Sequence, residues 1–260
     1  MSRFATATSA RERQLEILEL ARSNGRVDVT ALAAGMAVAP ETIRRDLKLL
    51  EDHGLVRRTY GGAHPVESAG YETDLKQRET EYLPEKRRIA QEAVQHLDGA
   101  ESIFIDEGFL PRLIAQALPG DHQITVVTAS LPVATMLATR PACTVIMLGG
   151  RVRGRTLATV EHWVTRMLSE FVIDLAFLGA NGISLTHGLT TPDPVVAEVK
   201  SAVLKNSHRV VFAGAHTKFS TSTFCRFGEV SDLDLVITDT RLAAATAQRY
   251  AAVGPTVLRV

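Results

Sequence analysis

Residues 38–47 read Val38-Ala-Pro-Glu-Thr-Ile-Arg-Arg-Asp-Leu47, and this stretch decides how the amino-terminal part of the chain is interpreted. In a helix that begins near Pro40, the side chains of Ile43, Leu47 and Leu50 fall on one side. The opposite side is polar and basic, so it can enter a DNA major groove, where arginine pairs with guanine. A solvated helix face with ordinary charge pairs explains the same pattern, and the pattern alone leaves both interpretations open. The polar residues are Glu41, Thr42, Arg44, Arg45 and Lys48.

The residues around this helix predict a winged helix-turn-helix, which consists of three helices followed by a small hairpin. Apolar residues at helical spacing, capping residues and glycine stops mark the segments. We expect a helix over 11–23, an extended piece at 26–28, a helix capped by Thr30 that closes near Gly35, a helix from Pro40 to about His53 that stops at Gly54, and a strand over 55–60 that Gly61 and Gly62 break.

The rest of the chain has a different pattern, in which short apolar runs alternate with helical stretches. Such alternation predicts a mainly parallel sheet covered on both faces, whose ligands bind outside the carboxyl ends of the strands. We therefore expect a DNA-binding domain over 1–64, a linker over 65–84 and an α/β domain over 85–260. The expected strands are 102–106, 124–128, 144–148, 175–178, 209–213 and 235–238, and the expected helices include 85–97, 131–139 and 194–205.

The amino-terminal part resembles the DeoR family of transcriptional regulators. The resemblance rests on Gly25-Arg-Val-Asp-Val-Thr-Ala-Leu-Ala33, on residues 38–47, and on Gly54-Leu-Val-Arg-Arg-Thr-Tyr-Gly-Gly-Ala63. It implies a recognition helix that reads DNA and a wing that supports it. Tyr60 departs from the histidine usual in the wing. The residues that the resemblance implies for contact with double-stranded DNA are Thr42, Arg44, Arg45, Lys48, Arg57, Arg58, Gly61 and Gly62.

The carboxyl-terminal part is similar to the sensor domain of the same family, whose fold is related to ribose-5-phosphate isomerase. Matching pieces include Leu148-Gly-Gly-Arg151, Phe177-Leu-Gly-Ala-Asn-Gly-Ile183, Glu198-Val-Lys200 and His216-Thr-Lys-Phe219. The resemblance implies a sugar phosphate, sugar or polyol effector that releases the protein from DNA. Glycines let backbone N–H groups approach a ligand, and basic groups neutralise a phosphate. The expected effector residues are Asp106, Glu107, Gly108, Phe109, Thr128, Ser130, Gly150, Arg151, Gly179, Asn181, Gly182, Glu198 and Lys218.

One departure from the family concerns the loop after the first sensor strand. The family typically has Asp-Ser-Gly-Thr-Thr there, whereas this chain has Asp106-Glu-Gly-Phe-Leu110. The phosphate-holding hydroxyls are absent, and the carboxylate of Glu107 would repel a phosphate. Either Glu107 turns to solvent and the backbone holds the anion, or the site takes an unphosphorylated ligand or holds the phosphate elsewhere. Glu161 also stands where the family usually has glycine.

Composition agrees with a cytoplasmic protein, and although a net charge of zero by itself argues against a nucleic-acid partner, the basic residues cluster at Arg44, Arg45 and Lys48. The chain has 260 residues, a formal net charge of zero and two cysteines, which are too few for a disulfide framework. We expect no signal peptide, membrane span, cofactor, metal site or catalytic residue. A homodimer or homotetramer would present paired winged helices to matching half-sites. The alternative is an enzyme of the sugar-phosphate isomerase or CoA-transferase fold group, with Asp106, Glu107 and Lys218 as acid–base groups.

Overall fold

Three helices and a small antiparallel sheet make up the amino-terminal unit in the computed structural model, which describes residues 9–24, 26–52, 55–59, 61–65, 80–120, 123–154 and 156–260. The sheet has the strand order β1-β3-β2, so the extended piece at 26–28 joins the predicted hairpin as a third strand. The elements are α1 (Ala10–Asn24), β1 (Val27–Asp28), α2 (Val29–Gly35), α3 (Pro40–Asp52), β2 (Val56–Thr59) and β3 (Gly62–Pro65). The predicted positions of His53, Gly54 and Tyr60, and residues 66–79 of the predicted linker, lie outside the described residues.

The prediction that Thr30 caps the second helix is wrong. The cap is Asp28, whose Oδ1 accepts hydrogen bonds from the backbone N–H groups of Thr30 (2.9 Å) and Ala31 (3.1 Å). A carboxylate two to three residues before these amides satisfies donors that the first helical turn leaves unpaired. Thr30 therefore lies inside the first turn, and α2 begins one residue earlier, at Val29.

A seven-stranded sheet forms the centre of the second unit, and every strand pair in it is parallel. This confirms the predicted parallel sheet. Its order is β15-β14-β12-β9-β4-β5-β6. The first strand, β4, therefore lies inside the sheet, with β5 and β6 on one side and the later strands on the other. The strands of this sheet are β4 (Ser102–Ile105), β5 (Ile124–Thr128), β6 (Cys143–Met147), β9 (Ile173–Leu178), β12 (Ser207–Ala213), β14 (Leu235–Thr238) and β15 (Thr256–Arg259).

Helices cover both faces of this sheet, because successive strand residues point to opposite sides. Ile105 and Phe177 belong to a buried cluster with Ile89, Ile114 and Val133 from three helices of one layer. The helix Pro194–Lys205 packs against β9 and β12 from the other side. The helices are α4 (Leu83–Ala93), α5 (Phe109–Ala117), α6 (Leu131–Leu137), α7 (His162–Leu168), α8 (Pro194–Lys205) and α9 (Ala244–Ala251).

β15, at the edge of the parallel sheet, was not predicted, and neither were five short strands outside that sheet. Two of these five form a hairpin, β7 (Arg151–Arg153) with β8 (Ala158–Val160). The other three form a sheet in the order β10-β11-β13, with β10 at Gly182–Ser184, β11 at Gly188–Thr191 and β13 at Cys225–Gly228. Among the described residues, no helix is long and apolar enough to cross a membrane.

Candidate functional site

The exposed face of α3 carries the residues predicted to read DNA. Arg44, Arg45 and Lys48 are exposed, and Thr42 is half-buried. On the opposite face, Ile43, Leu47 and Leu50 are buried in the core of the amino-terminal unit, as their spacing predicts. Arg44 Nη1 lies 3.0 Å from Glu41 Oε2, an exposed pair that contributes little to stability and is easily exchanged for a phosphate.

A buried carboxylate that the sequence analysis missed fixes α3 against α1. Asp46 is 3% exposed, and it accepts hydrogen bonds from Arg13 Nε (2.6 Å) and Gln14 Nε2 (2.9 Å). A buried carboxylate needs such partners, since burial without them is costly. These contacts set the orientation of α3 relative to α1. The signal in the sequence was the spacing, because Asp46 lies three residues after Ile43, on the same side of the helix.

The wing residues that the structure describes are held by the fold itself. Arg58 donates from its Nε to Glu51 Oε2 (2.6 Å) and from its backbone N–H to Glu51 Oε1 (2.9 Å). These hydrogen bonds lower the pKa of Glu51 below its ordinary value. The side chain of Arg57 lies outside the described residues. Gly61 has φ +77°, and a Cβ atom on Gly62 would lie 2.1 Å from the carbonyl oxygen of Val27, so both glycines are required by the backbone.

At the carboxyl end of β4, Asp106 lies at the point where the sheet order changes direction. The neighbours of β4 are β5, which follows it, and β9, which is reached later in the chain. Such switch points are where open parallel sheets bind ligands. Asp106 is 3% exposed, and its Oδ2 accepts a hydrogen bond from the backbone N–H of Gly179 (2.9 Å) at the end of β9. The structure therefore brings these two predicted residues together.

Lys200 completes this cluster, although the sequence analysis did not select it. Its Nζ forms a buried ion pair with Asp106 Oδ2 and donates to the carbonyl oxygen of Gly179 (3.1 Å). Glu198, which was selected, is exposed on α8. The helical period distinguishes the two residues, because Val196, Val203 and Lys200 share the buried side of α8.

The loop after β4 leads directly into α5. The N-cap is Gly108, with φ +108° and no side-chain cap, and Pro111 removes one N–H donor from the first turn. Phe109, another expected effector residue, is buried in the core. The backbone N–H of Glu107 donates to Asp106 Oδ1 (2.8 Å), and Glu107 Oε2 is buried. Glu107 as a whole is half-buried, so both explanations considered for its carboxylate stay open.

Two predicted hydroxyl groups at the end of β5 already bind backbone groups. Thr128 Oγ1 donates to the carbonyl oxygen of Ile105 (2.7 Å) and accepts from the N–H of Ser130 (3.0 Å). Ser130 caps α6, with its Oγ accepting from the N–H of Val133 (3.4 Å). Both side chains are buried, so they shape the loop next to Asp106.

Beyond β9, the strand ends carry Asn181, Lys218 and a histidine–aspartate pair. Asn181 Oδ1 accepts from Thr191 Oγ1 (3.2 Å), and its neighbour Gly182 begins β10. Lys218 is half-buried in a short 3-10 helix that starts at His216. Neighbouring strands lie about 4.8 Å apart, so the loops after β12 and β4, with β9 between them, are separated by about 10 Å.

The His216–Asp239 pair is the third feature that the sequence analysis missed, after Asp46 and Lys200. His216 Nδ1 lies 2.9 Å from Asp239 Oδ1, and the backbone N–H of His216 donates to Asp239 Oδ2 (2.8 Å). Burial by itself raises the pKa of Asp239, but hydrogen bonds from His216 and Arg241 outweigh it and bring the pKa below its ordinary value. Asp239 is therefore held as a carboxylate at the end of β14.

Gly150 and Arg151 lie at the edge of the sheet, at the start of the β7–β8 hairpin. Gly150 has φ +151°, and a Cβ atom there would lie 2.7 Å from the carbonyl oxygen of Val160. Arg151 is exposed and pairs with Glu161 (2.6 Å). These residues are not joined to the Asp106 cluster by any described contact. No group of histidine, cysteine, aspartate or glutamate side chains suited to a metal ion occurs within the part of the chain that the structure describes.

Two family profiles match the chain and together cover most of it. The DeoR-like helix-turn-helix domain matches residues 13–69. The DeoR C terminal sensor domain matches residues 81–240.

Curated relatives match nearly the whole chain. The HTH-type transcriptional regulator GlpR of Haloferax volcanii is 34% identical over 247 residues, covering 95% of this chain and 96% of the relative. The glycerol-3-phosphate regulon repressor of Escherichia coli is 31% identical, covering 88% of this chain and 90% of the relative. A solved ribose 5-phosphate isomerase from Methanocaldococcus jannaschii is 19% identical over 52% of this chain and 53% of its own, with a TM-score of 0.37, and carries no functional conclusion.

Proposed function

Since the chain belongs to the DeoR family of transcriptional regulators, we propose that it is a repressor that a small carbohydrate-type metabolite releases from its operator. The amino-terminal unit binds double-stranded DNA, and the sensor unit binds the effector at the carboxyl ends of β4, β9 and β12. The enzyme alternative is not favoured, because the relatives that match the chain over most of its length are named transcriptional regulators.

The observation that carries the DNA-binding half of the proposal is the exposed basic face of α3. Arg44 and Arg45 have the length and charge to reach guanine edges in the major groove. Lys48, one turn after Arg44, is placed to bind a phosphate, as Arg58 is in the wing. Thr42 contributes a hydroxyl near the amino end of the helix. The buried Asp46 contacts hold this face in a fixed orientation for DNA.

The effector half of the proposal is supported by the polar cluster at the sheet's switch point. A sugar or polyol hydroxyl both donates and accepts, so it can join the Asp106–Lys200 pair without leaving either charge unpaired. Backbone groups of Gly108 and Gly179 lie at the same strand ends, and Lys218 supplies a further positive charge. The shared chemistry of the ligand is therefore a polyhydroxylated chain, with or without a phosphate.

The names of the relatives support the carbohydrate class. The Escherichia coli relative is named as the repressor of the glycerol-3-phosphate regulon. Its identity to this chain extends across both units, so a three-carbon polyol phosphate is a rational first probe. We further propose that two or four copies assemble, because a symmetric assembly matches two half-sites on the duplex.

The experiment has two arms and uses the full-length protein. In vitro selection from random duplex DNA identifies the operator. A thermal-shift screen then compares sn-glycerol 3-phosphate with glycerol, fructose 1-phosphate with fructose, and myo-inositol. A ligand at a hundred times its dissociation constant adds about 2.7 kcal/mol, which raises the sensor's melting temperature by roughly 5–10 °C.

Matched lysine variants test the site. We expect Lys218→Ala to reduce the shift caused by a phosphorylated compound, whereas the exposed Lys205→Ala leaves it unchanged. If only unphosphorylated compounds shift the melt, the Glu107 loop has changed the ligand class. Failure of every compound to shift the melt, together with failure to select any operator, would overturn the proposal.

A further inference from the structure

The first residues of the sensor unit contact the same loops that surround the proposed effector site. The segment Glu81–Lys86, called here the strap, precedes and begins α4. It contacts three strand-end segments: the start of α5 after β4, the 3-10 helix after β12, and the turn after β14. Only residues 66–79 separate these described residues from the winged-helix unit in the sequence. The strap is therefore the part of the sensor nearest in sequence to the DNA-binding unit.

Tyr82 makes the central contact of the strap. The centre of its ring lies 4.9 Å from the centre of the His216 ring, and the two ring planes meet at 80°. This is the edge-to-face arrangement that aromatic pairs prefer. His216 is held in turn by Asp239, as described above. Lys218, a proposed effector residue, is two residues beyond His216 in the same 3-10 helix. A ligand that draws Lys218 toward it therefore also moves His216, whose ring contacts Tyr82.

Arg241 ties the strap to the turn after β14. Its guanidinium lies 5.3 Å from the centre of the Tyr82 ring, and its Nη2 lies 3.1 Å from Oε1 of the largely buried Glu85. The backbone N–H of Arg241 donates to Asp239 Oδ1 (3.0 Å). The carboxylate of Asp239 thus supports both residues that flank the Tyr82 ring.

Lys86 forms the third contact, on the other side of the proposed site. Its Nζ donates to the carbonyl oxygen of Glu81 (2.7 Å) and lies 5.6 Å from the centre of the Phe109 ring. Phe109 begins α5, two residues after Glu107 in the loop that departs from the family pattern. The strap therefore spans from the loop after β4 to the loops after β12 and β14.

The backbone of the strap is held in a conformation that tyrosine disfavours. Tyr82 has φ 52° and ψ 36°, the left-handed region, and its side chain makes no cap for α4. A residue with a Cβ atom occupies this region at an energetic cost, which surrounding contacts must offset. Loss of the His216 contact would let this backbone relax. A nearby ligand could bias this segment only if it binds the strained and the relaxed arrangement with different affinity.

We propose that the strap transmits effector binding to the DNA-binding unit, with Tyr82 as the positioning residue. The effector moves the His216–Lys218 helix and the loop before Phe109, and Tyr82 loses its contact with the His216 ring. The backbone at residue 82 then relaxes, which changes the point at which the chain enters the sensor unit. The inference rests on the proposed effector site, but the strap itself can be tested without an effector.

The test compares Tyr82→Ala with Tyr82→Phe, which keeps the ring. With the selected operator and the compound that shifts the melt, Tyr82→Ala is expected to keep the melting shift. Its operator affinity is expected to fall less than about threefold on adding the compound, whereas Tyr82→Phe and wild type lose roughly tenfold or more. Arg241→Ala should weaken the response in the same direction, while the exposed Arg249→Ala should not. A full response in Tyr82→Ala would overturn the proposal.

A second measurement separates failure of the strap from failure of the effector site. The backbone N–H of Lys86 donates to the carbonyl oxygen of Tyr82 (3.0 Å), and hydrogen exchange of this amide is followed in the full chain without any ligand. The strap requires faster exchange in Tyr82→Ala than in Tyr82→Phe, because the ring contact holds this turn. Equal exchange in the two variants overturns the strap. If no compound shifts the melt, the proposed function fails, and the exchange result alone decides whether the strap is held by Tyr82.

Discussion

The buried Asp106–Lys200 pair makes Lys200→Met the most informative single change in the sensor unit. The two side chains are 4% and 5% exposed, so removing the lysine leaves a carboxylate buried without its counter-charge. Breaking a buried pair in this way costs about 3–5 kcal/mol. Asp106 keeps the N–H groups of Glu107 and Gly179, which favours the lower end of that range. Methionine fills most of the lysine stem's volume, so the loss of charge dominates the change.

Calorimetry of the full chain measures this cost. A loss of about 3 kcal/mol lowers the melting temperature of a domain of 150–250 residues by about 6–12 °C. Lys205→Met is the control, since this exposed lysine at the end of the same helix should shift the melt by less than about 2 °C. Operator affinity at 20 °C should be retained in both variants, because neither residue belongs to the DNA-binding unit.

The double variant Asp106→Asn with Lys200→Met separates the pair from the packing. It removes both charges, so it should recover at least about half of the unfolding free energy that Lys200→Met loses. The reasoning is refuted if Lys200→Met melts within 2 °C of wild type, or if the losses of the two single variants simply add in the double variant.

Three further predictions concern other parts of the chain. Arg45→Ala should weaken operator binding by about 1–3 kcal/mol and leave the ligand-induced melting shift unchanged. If the variant loses both operator binding and the melting shift, Arg45 is not specifically a base-recognition residue. Gly62→Ala places a Cβ atom 2.1 Å from the carbonyl oxygen of Val27, so it should destabilise the amino-terminal unit by about 2–3 kcal/mol by hydrogen exchange, with protection of the sensor unchanged. Glu161 has φ 81° and ψ −175°, so Glu161→Gly should be more stable than Glu161→Ala by about 1–2 kcal/mol in thermal unfolding, and the reverse order would contradict the strained backbone.

The spacing of apolar residues along the chain predicted most of the fold. Burial explains this, because the side of a helix or strand that faces the core must be apolar. The third helix of the amino-terminal unit was found from three apolar residues at i, i+4 and i+7. Its predicted range, Pro40 to about His53, agrees with α3 at Pro40–Asp52. Six of the seven strands of the parallel sheet were found from continuous apolar runs, since both faces of such a sheet are covered. The seventh, β15 at the edge of the sheet, was missed. The short strands β7, β8, β10, β11 and β13 have three or four residues each, which is too few to show a period.

The candidate site was harder to predict, because its residues serve the fold as well as a ligand. Thr128 was selected as an effector residue, but its hydroxyl donates to a backbone carbonyl oxygen inside the protein. Lys200 was overlooked although its position on the buried side of α8 was visible in the sequence. His216 and Asp239 lie 23 residues apart and meet only because β12 and β14 are adjacent. Pairings of this kind follow from strand order, which the sequence pattern does not contain.

The central claim is that a ligand at the strand ends of the sensor lowers the affinity of the winged helix for its operator. Fluorescence anisotropy of the selected operator duplex, titrated with the full-length protein at fixed salt, measures this affinity with and without the compound that shifts the melt. The account predicts that the compound raises the dissociation constant by about tenfold or more. An unchanged dissociation constant with a compound that demonstrably binds the sensor would contradict it.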